Sequence, residues 1–181
     1  ELGYVVENDQ LLGSESSGAL SLGQGTSTAY IGVNGAYYPL DNTKLFAAFY
    51  AGYSSVNMAN DSLFTDISAL KTSSFTLGAS RANTFKPNDV VGVIAHQPLR
   101  VNSGEATMTL ANGYTGNQFA FADSTVNLAP QDRQINYELF YNFNTHFMDD
   151  IKLSYLHIQN PGHNKAQGSE QALFYTMETR F

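Results

Sequence analysis

Apolar and polar residues alternate with a period of two along most of the chain, in about ten segments bounded by clusters of Gly, Asn, Asp, Ser and Pro. The segments lie at 2–8, 26–39, 43–56, 70–85, 89–102, 105–111, 118–129, 132–144, 150–159 and 169–181. Each predicts a β-strand. In the clearest of them Ile135, Tyr137, Leu139, Tyr141 and Phe143 share one face, against Asn136, Glu138, Phe140 and Asn142 on the other. The next strand sets Ile151, Leu153 and Tyr155 against Lys152 and Ser154. The last sets Leu173, Tyr175, Met177 and Phe181 against Thr176, Glu178 and Arg180.

Alternation alone does not say which face meets solvent. In a soluble sandwich or barrel the apolar face points inward, whereas in a membrane barrel it points to lipid and the polar face lines the interior. Strand length separates the two. Most of the segments run to about eleven residues or more, longer than the strands of soluble sheets and suited to crossing a bilayer core at a tilt. Aromatic residues also gather near strand ends, at Tyr37, Tyr38, Phe85, Phe143, Phe147 and Phe181, where interfacial girdles belong. The expected fold is therefore all-β, an antiparallel meander β-barrel of outer-membrane type with about ten strands (roughly 8–12), forming a single domain over 1–181 in the bacterial outer membrane.

That orientation assigns the faces. Ile135, Tyr137, Leu139, Tyr141, Leu153, Tyr155, Tyr175 and Met177 are expected to face lipid; Asn136, Glu138, Asn142, Lys152, Glu178 and Arg180 are expected to face the lumen. Connections alternate in length as well. Short turns at 40–43 and 85–89 fit the periplasmic side, and longer polar loops at 9–25, 57–68 and 160–168 fit the outside. The parity requires 105–111 and 118–129 to be two separate strands.

Composition narrows the function classes. No run approaches the ~18–20 apolar residues of a membrane-spanning helix, and Tyr and Phe number 11 and 12 while Trp and Cys are absent. Disulfides and thiolate metal sites are excluded. With 9 basic and 16 acidic residues the net charge is −7, and no Lys/Arg cluster offers a track for phosphates, so nucleic acid is not an expected partner. The opening Glu1-Leu2-Gly3-Tyr4 lacks a signal-peptide pattern, which implies a processed chain or a segment of something longer.

Candidate chemistry is sparse. His96, His146, His157 and His163 fall on different elements without metal-ligand spacing, so no metal or cofactor is expected. No Ser sits in a G-x-S-x-G elbow. A barrel-wall hydrolase using His96 or His157, and a soluble calyx binding an apolar ligand, stand as alternatives to a non-catalytic membrane barrel. Gly32, Gly35, Gly52, Gly78 and Gly92 read as kinks or sites of close approach within strands.

Several stretches resemble the C-terminal translocator barrel of subtilisin-like serine-protease autotransporters. They are Gly18–Gly23 with Thr28–Gly32, Ser73–Gly78, Val91–Val101, Asn102–Ala106, Leu128-Ala129-Pro130 before Arg133, Asn160-Pro161-Gly162-His163, and Arg180-Phe181. The resemblance implies a non-catalytic translocator or anchor that carries a passenger to the cell surface. Its implied partners are outer-membrane lipid, the barrel-assembly machinery reading Phe181 as its signal, and either its own passenger or another chain supplying missing strands. The family's pore helix and its protease passenger have no counterpart in this sequence.

Overall fold

The computed structural model describes residues 1–8, 10–12, 14–15, 25–58, 62–145 and 150–178. His146, Phe147, Arg180 and Phe181 of the sequence expectations lie outside the described residues, as does the 18–23 stretch. Among the described residues the strands are β1 (Leu2–Asn8), β2 (Gln10–Leu11), β3 (Ser14–Glu15), β4 (Gly25–Leu40), β5 (Thr43–Asn57), β6 (Phe64–Ile67), β7 (Leu70–Ala82), β8 (Val90–Ser103), β9 (Glu105–Thr115), β10 (Gln118–Asn127), β11 (Ile135–Phe143), β12 (Asp150–Gln159) and β13 (Glu170–Glu178), with a 3₁₀ turn at Pro161–His163. The expected all-β, antiparallel architecture is present. Eight strands form one sheet in the order β1-β4-β5-β7-β8-β11-β12-β13.

Two predicted members of the meander leave it. β9 and β10 pair with β6 in a separate three-stranded sheet, ordered β10-β9-β6, and β8 pairs directly with β11. β6 falls inside the 57–68 segment that the alternation reads as a loop. The reason is local. Gly116 and Asn117 sit at φ 61° and 66°, the paired left-handed geometry of a tight hairpin turn, so β9 and β10 satisfy each other's backbone. Every residue of β10 is exposed. The short turn expected at 85–89 is present and begins earlier, at Asn83, which the alternation places at the end of a strand.

Two compact units share the strands. The first comprises Glu1–Gly32, Ala51–Ser73 and Val101–Pro130. It holds the apolar cluster of Ile67, Leu70 and Ala106, flanked by Val56, Met58, Phe64, Val101 and Leu128, at the foot of the three-stranded sheet. Ser68 N–H donates to Glu105 O (2.9 Å), its hydroxyl accepts from Glu105 N–H (2.8 Å), and Leu128 N–H donates to Gly104 O (2.9 Å), which anchor that foot. The second unit comprises Val33–Tyr50, Ser74–Arg100 and Gln131–Phe181. Its buried apolar side chains among the described residues include Ile151 and Pro161, and many of its large apolar groups are exposed.

In the second unit glycines seat aromatic rings. A methyl group on Gly78 would overlap the Phe46 ring, and one on Gly92 would overlap both the Phe140 ring and the Ala79 carbonyl. Each ring occupies the space that a side chain at the glycine would take. Gly92→Ala is therefore expected to cost about 1–3 kcal/mol in reversible urea unfolding from lipid vesicles. Adding Phe140→Ala should recover only part of that loss, since the Ala79 carbonyl stays. An unfolding midpoint unchanged by Gly92→Ala would refute the packing argument.

The 83–89 turn is organised by one carboxylate. Asp89 is buried, and its Oδ1 accepts from Thr84 N–H (2.6 Å) while Oδ2 accepts from the N–H groups of Phe85 (2.9 Å) and Lys86 (3.0 Å) and from the Tyr141 hydroxyl (2.9 Å). Asn83 and Asn88 take positive φ, and Asn88 N–H donates to the Asn83 side chain at 2.8 Å. Lys86 donates to Asn144 O and stands 4.3 Å from the Phe143 ring centroid, tying the turn to the end of β11. Burial alone would raise the Asp89 carboxyl, but the N–H groups of Thr84 and Phe85, the Tyr141 hydroxyl and the Lys86 N–H outweigh it and hold it below the ordinary carboxylate value. A depressed folded-state value means stability that is present above the unfolded-state value near ~4 and is lost as pH falls through the folded-state one. Acid titration should show this loss in the parent protein and a flatter profile in Asp89→Asn; identical acid limbs would exclude the role.

Candidate functional site

Register places the side chains of β8, β11, β12 and β13 in rungs, because paired residues share a face and successive residues alternate. One set of rungs is apolar: Val93–Leu139–Tyr155–Leu173, and Val91–Tyr141–Leu153–Tyr175. Phe143–Ile151–Met177 continues it across three strands. Leu139 is 51% exposed, Leu173 78% and Tyr175 57%, so these groups are not packed into a protein interior. A soluble monomer rarely leaves so continuous an apolar surface uncovered.

The opposite face carries a different chemistry. Its rungs read Ile94–Glu138–Leu156–Ala172, Gly92–Phe140–Ser154–Phe174 and Val90–Asn142–Lys152–Thr176. Glu138 Oε1 sits 3.2 Å from Lys152 Nζ and accepts from Ser154 Oγ at 2.7 Å. Lys152 Nζ is also 5.6 Å from the Phe140 ring centroid, and the Lys152 and Glu138 side chains remain 44% and 26% exposed. A hollow of about 260 Å³ opens between Glu138, Lys152, Ser154, Leu156, Phe174 and Thr176. Ion pair, hydroxyls and ring faces are thus held on one stiff surface.

Three of the side chains named from sequence meet on this face: Glu138 and Lys152 in direct contact, and Asn142 across from Lys152. Asn136 lies further along β11, where it accepts from Gln134 Nε2 at 2.8 Å. Glu178 lies opposite Asp150 at the end of β13, exposed and away from the pair. Ser154, Leu156, Phe174 and Thr176 complete the lining of the hollow. The period-two rule could have found Phe174, since it shares parity with Thr176; an aromatic on a polar face is simply easy to pass over.

The three described histidines hold different parts of the structure. His96 Nδ1 lies 2.9 Å from Thr76 Oγ1 and 3.1 Å from Phe75 O, on the polar side opposite Asn136. His157 stacks on Tyr137 at 6.4 Å on the apolar side. The two occupy opposite faces and cannot share a reaction site. His163 accepts from Gln134 N–H at Nδ1 (2.9 Å) and donates from Nε2 to Leu99 O (3.1 Å). With Gly162 N–H on Gln134 Oε1 (2.7 Å) and Asn160 Nδ2 on Arg133 O (3.2 Å), the Asn160–His163 turn clasps the start of β11 to the end of β8.

An antiparallel sheet with an exposed apolar face, and an opposite face of ionic, hydroxyl and aromatic groups, defines a β-barrel of the bacterial outer membrane, of porin type. A family model described as "Carbohydrate-selective porin, OprB family" matches residues 3–181, and the chain belongs to that family. No curated protein and no solved structure gives a significant match. The family is one of channels, not enzymes, which removes the hydrolase reading of His96 and His157 and the soluble calyx alike.

The match also corrects the autotransporter resemblance. Alternating strands with Gly kinks are common to outer-membrane barrels of every family, so Thr28–Gly32, Ser73–Gly78 and Val91–Val101 carry barrel character without family identity. The more specific Asn160-Pro161-Gly162-His163 is the β8–β11 clasp, a structural turn. A translocator role with a passenger falls with the resemblance.

Proposed function

We propose that this chain builds the wall of an outer-membrane channel that passes carbohydrate, with its apolar rungs against lipid and its Glu138–Lys152 face toward the aqueous lumen. The observation that carries this reading is the separation of the rungs: Val93–Leu139–Tyr155–Leu173 on one side, Glu138, Lys152, Ser154 and Phe174 on the other. On this reading Ile135, Tyr137, Leu139, Tyr141, Leu153, Tyr155, Tyr175 and Met177 meet hydrocarbon, while Asn136, Asn142 and Glu178 join Glu138 and Lys152 along the lumen. Outer-membrane lipid is then a structural partner. The polar face suits sugars, since hydroxyl and charged groups exchange hydrogen bonds with sugar hydroxyls and the ring faces of Phe140 and Phe174 accept their C–H surfaces. The family description supports the choice of solute.

Vesicle swelling tests it. Protein reconstituted in lipid vesicles should admit glucose and maltose faster than charged solutes of similar size. Vesicles that swell no faster than protein-free controls in any sugar would overturn the channel, and equal rates for sugars and charged solutes would overturn its selectivity.

A further inference from the structure

The β9–β10 hairpin carries a second aromatic and polar surface, separate from the face just described. Tyr114 pairs with Phe119 across the hairpin, and their rings meet edge to face at 5.2 Å. Phe121 follows two residues on and so shares that face; the three side chains are 62%, 66% and 63% exposed. Continuing along it, Asp123 Oδ1 accepts from Thr109 Oγ1 at 2.7 Å, and the Thr107 and Thr125 hydroxyls stand 3.2 Å apart. From Phe119 to Thr125 the stripe runs about 20 Å. The opposite face holds Ala120, Ala122 and Met108 among small or apolar groups, and its base is the packed one.

We propose that the Tyr114/Phe119/Phe121 and Asp123/Thr109 face binds a neutral oligosaccharide, as a capture surface distinct from the Glu138–Lys152 wall; the choice of ligand class rests on the carbohydrate reading above. Charge selects the occupant. Strands β9 and β10 contain Glu105 and Asp123 and not one Lys or Arg. Such a face repels acidic glycans and the anionic headgroups of a membrane surface. It suits a ligand that offers C–H faces to rings and hydroxyls to a carboxylate and threonines. A stripe longer than one sugar fits an extended chain of several.

Calorimetric titration of the full chain in detergent micelles with maltopentaose tests this. The parent should bind, and Phe119→Ala with Phe121→Ala should weaken binding about tenfold. Phe119→Tyr should retain it, and a uronic-acid pentamer should bind more weakly than maltopentaose. All three rings are exposed, so folding should survive, as checked by heat-shifted electrophoretic mobility. No binding of maltopentaose or cellopentaose, or equal affinity in parent and double variant, overturns the proposal. So does a double variant whose defect appears instead in oligomer mass or in adhesion to anionic vesicles, since the surface is then a self or lipid contact. Glucose swelling separates the two readings: normal glucose entry with pentasaccharide affinity indifferent to Phe119 sinks this proposal alone, whereas ring-dependent affinity without any sugar entry sinks the channel alone.

Discussion

Leu139→Arg should cost about 2–4 kcal/mol of folding free energy in a bilayer, while Asn136→Arg on the same strand should cost less than ~1 kcal/mol. Leu139 lies at the middle of β11 (Ile135–Phe143), within the rung Val93–Leu139–Tyr155–Leu173. An arginine there must carry its charge into hydrocarbon or bend toward a distant interface. Asn136 sits on the alternate face with Glu138, the face proposed to line the lumen. Urea unfolding of each variant from vesicles measures the difference. Equal costs at the two positions would mean that lipid does not cover the Leu139 face.

The second large effect concerns charge on the face proposed to line the lumen. Lys152→Glu replaces the Glu138–Lys152 pair, 3.2 Å apart, by two carboxylates, a change of two charges on the polar wall. Charged side chains along a pore set its ion preference, so the reversal potential of the reconstituted channel under a salt gradient should move toward cations, with permeability ratio changing severalfold. Stability should change by less than ~1 kcal/mol, because both groups are partly exposed and an exposed pair contributes little. Glu138→Lys should move the potential in the other direction. A potential unmoved by either variant would take this pair off the conduction path.

Much of this was legible in the chain because period-two alternation is a one-dimensional record of which face each side chain takes. β11 and β12 show it cleanly, and there Glu138, Lys152, Leu139 and Leu153 take the sides that parity demands. What alternation does not encode is partner choice. Residues 105–127 alternate like strands, yet the Gly116-Asn117 turn folds them on each other and β6 joins them, so β8 and β11 become neighbours. The turn at 85–89 was legible, but its start at Asn83 was not: Asp89 organises it through three backbone N–H groups and Tyr141, contacts that no local pattern announces. The hollow beside Phe174 needed three strands in register, and family identity needed a match over residues 3–181 in place of short motifs.

The chain contains no cysteine, so single cysteines report cleanly. A fluorophore should be attached in turn at positions 137, 138, 139, 152, 153, 174 and 175 in vesicles whose lipid tails carry a quencher. Strong quenching is expected at 137, 139, 153 and 175 and weak quenching at 138, 152 and 174, with the reverse order for a water-soluble quencher. A pattern that fails to alternate, or alternates with the faces exchanged, would contradict the lipid-out, sugar-in orientation.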